Sequence, residues 1–131
     1  MKPVEKTKIL IVDDEKIVTV AYARELEDLG YEVFKALSAR EAIESVKREK
    51  PRVVFTDLIL PGTNGVELCR QIKSIDPKVE VVLMSGYTSE TGRYMADFIE
   101  AGGSSKWLEK PLPEGELRRI IEEILKESPG G

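Results

Sequence analysis

Two adjacent acids, a third acid, a serine and a lysine stand at wide intervals in this 131-residue chain: Asp13 and Asp14, Asp57, Ser85, and Lys110. Three carboxylates brought together repel one another. They are tolerable when a hard cation sits among them or when one is protonated. Oxygen donors without histidine or paired cysteine point to magnesium or manganese, and this chain has no histidine and a single cysteine, Cys69. Lys110 adds a fixed positive charge and Ser85 a hydroxyl donor. Together the groups suit a phosphoryl group: metal and lysine neutralise its oxygens, and the hydroxyl donates one hydrogen bond.

Taken singly, each residue also has an ordinary reading. Asp14-Glu15 at a helix start is an N-cap with dipole-compensating acid. Asp57, shortly before Pro61-Gly62, is a turn residue. Ser85-Gly86 is a common loop pair, and Lys110-Pro111 is a solvated lysine before a turn. Trp107 reads first as core, and so does Cys69, on the apolar face of its helix. The chemical reading therefore depends on whether the fold brings these residues together.

The elements that would do so alternate along the chain. Apolar runs at 9–12, 32–36, 53–56, 79–84 and 106–108 read as strands. Amphipathic stretches read as helices between and after them. The first, 15–29, places Val18, Ala21, Tyr22, Leu26 and Leu29 near one face and ends at Gly30. The second starts at a Ser38 cap with Glu41 three residues on, a capping box. A loop over 58–65, rich in Pro and Gly, leads to a helix over 66–75. The fourth helix, 91–101, carries Tyr94, Met95, Phe98 and Ile99 and stops at Gly102-Gly103-Ser104-Ser105. The clearest helix, 114–126, places Leu117, Ile120, Ile121, Ile124 and Leu125 on one stripe. Residues 1–7 form an N-terminal extension and 127–131 a frayed tail. Continuous apolar strands joined by helical crossovers argue for an α/β fold. We expect a five-stranded parallel sheet with helices on both faces, a flavodoxin-like doubly wound architecture. In strand order 2-1-3-4-5 the order reverses between strands one and three, and ligands bind outside the carboxyl ends there. That order brings Asp13 and Asp14 beside Asp57, with Ser85 and Lys110 approaching from the next strands.

Bulk composition narrows the function classes. Hydrophobic residues make up 41% and charged residues 34%, which fits one ordinary globular domain. A net charge of −4 and dispersed Lys and Arg argue against direct nucleic-acid binding. Absent histidine removes Ser-His-Asp, Cys-His and zinc-histidine schemes. One thiol makes no internal disulfide, so a reducing cytoplasm is the natural compartment. The apolar runs have strand length, and no signal peptide or membrane span is expected.

The segments ILIVDDE, VVFTDLILPGTNG, VVLMSGY and WLEKP resemble the receiver domains of two-component response regulators, over about residues 8–126. The resemblance implies a signalling switch rather than an enzyme in the usual sense. It implies Asp57 as phosphoacceptor, taking its phosphoryl group from a histidine kinase or histidine phosphotransfer protein. Asp14 would bind Mg2+ (or Mn2+) directly and Asp13 largely through water, with Asp57 and the backbone carbonyl of Ile59 completing the protein's ligands. Ser85 would be the switch hydroxyl, Lys110 the lysine that pairs with Asp57 or its phosphate, and Trp107 the aromatic switch residue. The Lys110–Pro111 bond would be cis, which the proline makes accessible. The read-out surface would lie on helix four, strand five and helix five, in a monomer or a phosphorylation-linked dimer. Met1 and the short tail favour a stand-alone receiver over the front of a longer regulator.

The chain also departs from the family pattern. The stretch from Ser85 to Lys110 is longer than usual, with the surplus around Gly102-Gly103-Ser104-Ser105. Asn64 replaces a commoner Asp. Bulky Ile59 and Tyr87 occupy positions that tune phosphate lifetime, which predicts slow self-dephosphorylation. Other readings fit less well. A flavodoxin would need a Ser/Thr/Gly-rich loop where Asp13-Asp14-Glu15 stands. A haloacid-dehalogenase-type phosphatase would need an acid at Ile59, and a P-loop enzyme needs GxxxxGK[ST]. A degenerate receiver that only binds partners is opposed by the complete residue set.

Overall fold

The computed structural model describes residues 6–86 and 88–127, with 88–91 as backbone alone. Strand β1 (Lys8–Val12) is followed by α1 (Lys16–Asp28), β2 (Glu32–Ala36), α2 (Ala39–Glu49) and β3 (Val53–Asp57). Two short strands, β4 (Ile59–Leu60) and β5 (Thr63–Asn64), pair antiparallel inside the expected loop. Then come α3 (Gly65–Ile75), β6 (Glu80–Ser85), α4 (Thr88–Glu100), β7 (Trp107–Glu109) and α5 (Glu116–Glu127). The main sheet has order β2-β1-β3-β6-β7 and is parallel throughout. Leaving out the small β4–β5 pair, this is the expected 2-1-3-4-5 order.

The central strands β1, β3 and β6 lack polar alternation because both sheet faces are covered there, whereas edge strand β2 exposes Glu32 and Lys35. Leu10, Val12, Val54, Val81 and Leu83 join one core with Ala42, Val46, Cys69, Ile72 and Phe98. Ile9, Ile11, Val53, Phe55, Val82 and Met84 join the other with Leu26, Leu117, Ile120, Ile121 and Ile124. Thus α2, α3 and α4 cover one face, and α1 and α5 the other.

Local chemistry sets the helix ends. The Ser38 hydroxyl accepts from the Glu41 N–H at 3.2 Å, while the Glu41 carboxylate accepts from Leu37 rather than from Ser38. Asn64 caps α3 by accepting from Glu67 N–H at 2.9 Å. Helix α4 closes in a Schellman arrangement: Gly103 N–H bonds Phe98 O and Gly102 N–H bonds Ile99 O, with Gly102 at φ +99°. Gly103 has no room for a side chain, since a Cβ there would lie 2.2 Å from the Phe98 ring. The expected surplus segment is thus a built stop, and Ser104 N–H continues it by bonding Val81 O.

Several expectations are corrected. Asp57 and Ser85 close strands β3 and β6 instead of following them. Helix α4 starts at Thr88 rather than 91, and β7 is shifted to Trp107–Glu109. Helix α5 starts at Glu116 rather than 114, because Gly115 takes φ +89° and donates its N–H to Glu25 of α1. On α1 the buried residues are Thr19, Ala23 and Leu26, while Ala21 and Leu29 are exposed. Thr19 can be buried because its hydroxyl donates to Lys16 O at 2.8 Å. Ile99 turns outward, and Trp107 is 36% exposed rather than core, because it opens the edge strand. Residues 1–5, Tyr87 and 128–131, which include most of the expected extension and tail, lie outside the described residues.

Candidate functional site

The site forms where strand order reverses. Val12 pairs with Thr56, so the chain just beyond β1 places Asp13 and Asp14 beside Asp57, the last residue of β3. Ligand oxygens of Asp13, Asp14 and Asp57 all lie within 4.8 Å of one another. Asp13 is fully buried, Asp57 half-buried and Asp14 exposed. The buried Asp13 accepts from Glu15 N–H at 2.9 Å through Oδ1, which fixes its rotamer. Asp57 Oδ1 accepts from Leu58 N–H at 2.8 Å.

Lys110 enters from beyond β7. Its N–H bonds Ser85 O at 2.8 Å, which ties the lysine's backbone to the end of β6. Its ammonium donates to Asp13 Oδ2 and lies 3.3 Å from Asp57 Oδ2. The Lys110–Pro111 peptide bond is cis. Burial raises the Asp57 pKa above its ordinary value, and Asp13 adds to this while Lys110 opposes it. Burial works against the charged form of Lys110, but Asp13 and Asp57 together outweigh it and hold its pKa above the ordinary value. A half-buried acid kept near two others is a group that gains from a further cation. The donor set is all oxygen, and one of its members has no solvent to screen it, so it fits a hard divalent ion.

Ser85 is buried at the end of β6, one residue past Met84, the β6 partner of Asp57. Ile59 stands in β4, two residues past Asp57, with its side chain 53% exposed. Trp107 lies at the opposite end of β7 from Lys110, paired with Leu83. The fold therefore gathers Asp13, Asp14, Asp57 and Lys110 directly, sets Ser85 at an adjacent strand end, and leaves Trp107 remote from the carboxylates along the sheet.

The family model of the response regulator receiver domain matches residues 9–122. The chain belongs to this family. Receiver domains are switches of two-component signal transduction that work with histidine kinases or phosphotransfer proteins and bind Mg2+ at an acidic pocket. Among curated relatives, sporulation initiation phosphotransferase F of Bacillus subtilis is 29% identical, over 90% of this chain and 93% of its own. The uncharacterized transcriptional regulatory protein YesN of Bacillus subtilis is 33% identical, over 92% of this chain. The receiver domain here spans 33% of YesN and 49% of a second transcriptional regulatory protein, PhoP, of that organism. Among solved structures, a CheY-like receiver domain protein of Methanospirillum hungatei JF-1 superposes with a TM-score of 0.86 at 28% identity, covering 94% of this chain and 96% of its own.

Two features near the site had little signal in the sequence. One is the Lys110–Asp13 contact, which joins residues 97 apart. The other is a shallow apolar cleft of about 360 Å3 on the outer side of α1, lined by Lys16, Ile17, Val20, Ala21 and Arg24. The available clue was that Ile17 and Val20 fall off the inward stripe. Among the described residues, no helix is long and apolar enough to cross a membrane.

Proposed function

We propose that this receiver domain accepts a phosphoryl group on Asp57 from a phosphohistidine of a kinase or phosphotransfer protein, in the cytoplasm. The convergence of Asp13, Asp14 and Asp57, with Asp13 and Asp57 both paired to the Lys110 ammonium, carries this reading. An Asp57 carboxylate oxygen forms the bond to phosphorus as the bond from phosphorus to the donor imidazole breaks. The Leu58 N–H orients the Asp57 carboxylate for that step. Asp14 and Asp57, the carbonyl of Ile59 and, through water, Asp13 would hold Mg2+. Bound Mg2+ supplies positive charge against the charge developing on the phosphoryl oxygens. The Lys110 ammonium turns from Asp13 towards the phosphoryl oxygens, and the Ser85 hydroxyl donates to one of them. Drawing Ser85 inward opens space into which Trp107 moves. The surface of α4, β7 and α5 then changes and is read by a downstream partner, a two-state response to a local charge change. The exposed Ile59 side chain crowds the approach of a hydrolytic water, so the acyl phosphate is long-lived.

Trp107 is the only tryptophan, so its emission tests this directly. Titration with Mg2+ and then beryllofluoride or acetyl phosphate changes the emission of the wild type and not that of Asp57→Ala. Mass spectrometry detects one added phosphoryl group on the wild type. An unchanged signal with no phosphoprotein would overturn the reading.

A further inference from the structure

The pole of the sheet opposite Asp57 carries a concentration of positive charge that the receiver function does not use. A cleft of about 690 Å3 opens where β1, β3 and the end of α2 meet. Five basic side chains line it, Lys6, Lys8, Arg48, Lys50 and Arg52, against two acidic ones, Glu32 and Glu49. This excess runs against the chain as a whole, whose net charge is −4. Arg52 N–H bonds Lys8 O at 2.8 Å, which fixes two of the bases side by side. Glu49 lies 2.9 Å from Arg48 and 4.0 Å from Lys8 and offsets part of their charge, so with Glu32 the five bases leave an excess of three positive charges.

Lys50 supplies an independent observation. It is the C-cap of α2 and takes φ +52°, ψ +59°, the left-handed region. Among the described residues it is the only non-glycine residue with positive φ. Glycine or asparagine fills such a cap without strain, and a lysine does not. A strained backbone position that keeps a long cationic side chain at the rim of a basic cleft is better explained by a use for the charge than by the cap.

We propose that this cleft binds a compact polyphosphate anion, a di- or triphosphate group. The bases arrive from two segments of the chain, 6–8 and 48–52, around one concave space, which matches charge concentrated in a small ligand rather than strung along an extended one. The three lysines act as point charges towards phosphate oxygens, and Arg48 and Arg52 add positive charge around them. The group can come from inorganic polyphosphate or from a nucleotide.

The test is calorimetric titration of the full chain, in metal-free buffer of low ionic strength, with sodium tripolyphosphate, adenosine triphosphate and an oligoglutamate of matched charge. Saturable one-to-one binding of tripolyphosphate is expected. Lys50→Gly should weaken it by about tenfold, as for removal of one close charge at a screened surface. That variant relieves backbone strain, so misfolding does not confound the result, and thermal melting checks it. Equal binding of the two phosphates supports recognition of the phosphate group alone, and tighter binding of the nucleotide adds a contact to its nucleoside. Asp57→Ala should bind as the wild type does, which separates this site from the phosphoacceptor. No saturable binding, undiminished binding by Lys50→Gly, loss of binding in Asp57→Ala, or equal binding of oligoglutamate would overturn the proposal.

Discussion

The ammonium of Lys110 pairs most closely with the fully buried carboxylate of Asp13, and more loosely with Asp57, at 3.3 Å. Without another cation at the site, Lys110 is therefore the counter-ion of the one acid that water cannot screen. Removing it strands a buried charge. Lys110→Met, which keeps the apolar stem, should destabilise the domain by about 2–4 kcal/mol, somewhat under the cost of breaking a fully buried pair. Millimolar Mg2+ should recover more stability in this variant than in the wild type, because it replaces a missing charge. Urea unfolding with and without Mg2+ measures both effects, and equal Mg2+ stabilisation of the two proteins would disprove the counter-ion role.

The double glycine after α4 makes two different demands. Gly103→Ala drives a methyl group into the Phe98 ring, and Phe98 is buried in the core. Forcing that contact should cost about 2–4 kcal/mol, towards the upper end for overpacking. Gly102→Ala meets the flexible Lys73 side chain at 3.1 Å and takes an unfavourable φ, so about 1–2 kcal/mol is expected. The reverse ranking in denaturant unfolding would refute the structure of this stop.

The centre of the sheet was legible because β1, β3 and β6 are buried on both faces, so runs such as Ile9 to Val12 carry a signal that needs no partner to be read. The stripe on α5 was equally legible, since Leu117, Ile120, Ile121 and Ile124 have one face to bury. Helix α1 was not. Its apolar residues are spread around the axis, and a threonine satisfied by its own helix took a core position, which no hydrophobic pattern signals. The start of α5 was misplaced because Glu25, a residue of another helix, bonds the Gly115 N–H. At the site, strand-end spacing was enough to bring Asp13, Asp14, Asp57 and Lys110 together. Which acid the lysine favours depends on relative burial, and burial is a property of the packed molecule.

On the outer side of α1, Ile17 is 84% exposed and begins three residues after Asp14. Under the proposed function, an apolar cleft on the helix that follows Asp13 and Asp14 suits docking of the donor protein. Ile17→Ser should leave phosphorylation by acetyl phosphate unchanged, since that donor needs no docking surface. Phosphotransfer from a cognate donor protein should slow by about tenfold, the loss expected for one well-placed apolar contact. Equal rates with the protein donor would remove α1 from the docking surface.

Alkaline pH should reveal the burial of Cys69. The thiol is fully buried, and burial lifts its pKa from 9.0 to about 11 despite Lys73 and Arg70. The folded state thus holds this proton more tightly than the unfolded state. The stabilisation is complete below about pH 9 and is lost as pH rises through about 11. Cys69→Ala should show a shallower fall in unfolding free energy across that window, whatever its stability at neutral pH. In the wild type at neutral pH, a disulfide reagent should label Cys69 no faster than the domain opens. Identical pH slopes for the two proteins would show that the thiol does not titrate differently on folding.

The left-handed Lys50 allows a prediction with the opposite sign to most substitutions. At φ +52° its Cβ crowds the following carbonyl, a strain that glycine escapes. Glycine also costs more backbone entropy on folding, which offsets part of the gain. The balance should leave Lys50→Gly more stable than the wild type by about 0.5–1 kcal/mol. Separating the basic side chains of the cleft adds to this, because removing one positive charge lowers their mutual repulsion. Lys50→Ala removes the same charge and keeps the strained backbone, so the difference between the two variants isolates the conformational part. Thermal or urea unfolding of both should place Lys50→Gly above Lys50→Ala, and the opposite order would mean that position 50 does not hold the left-handed conformation in solution.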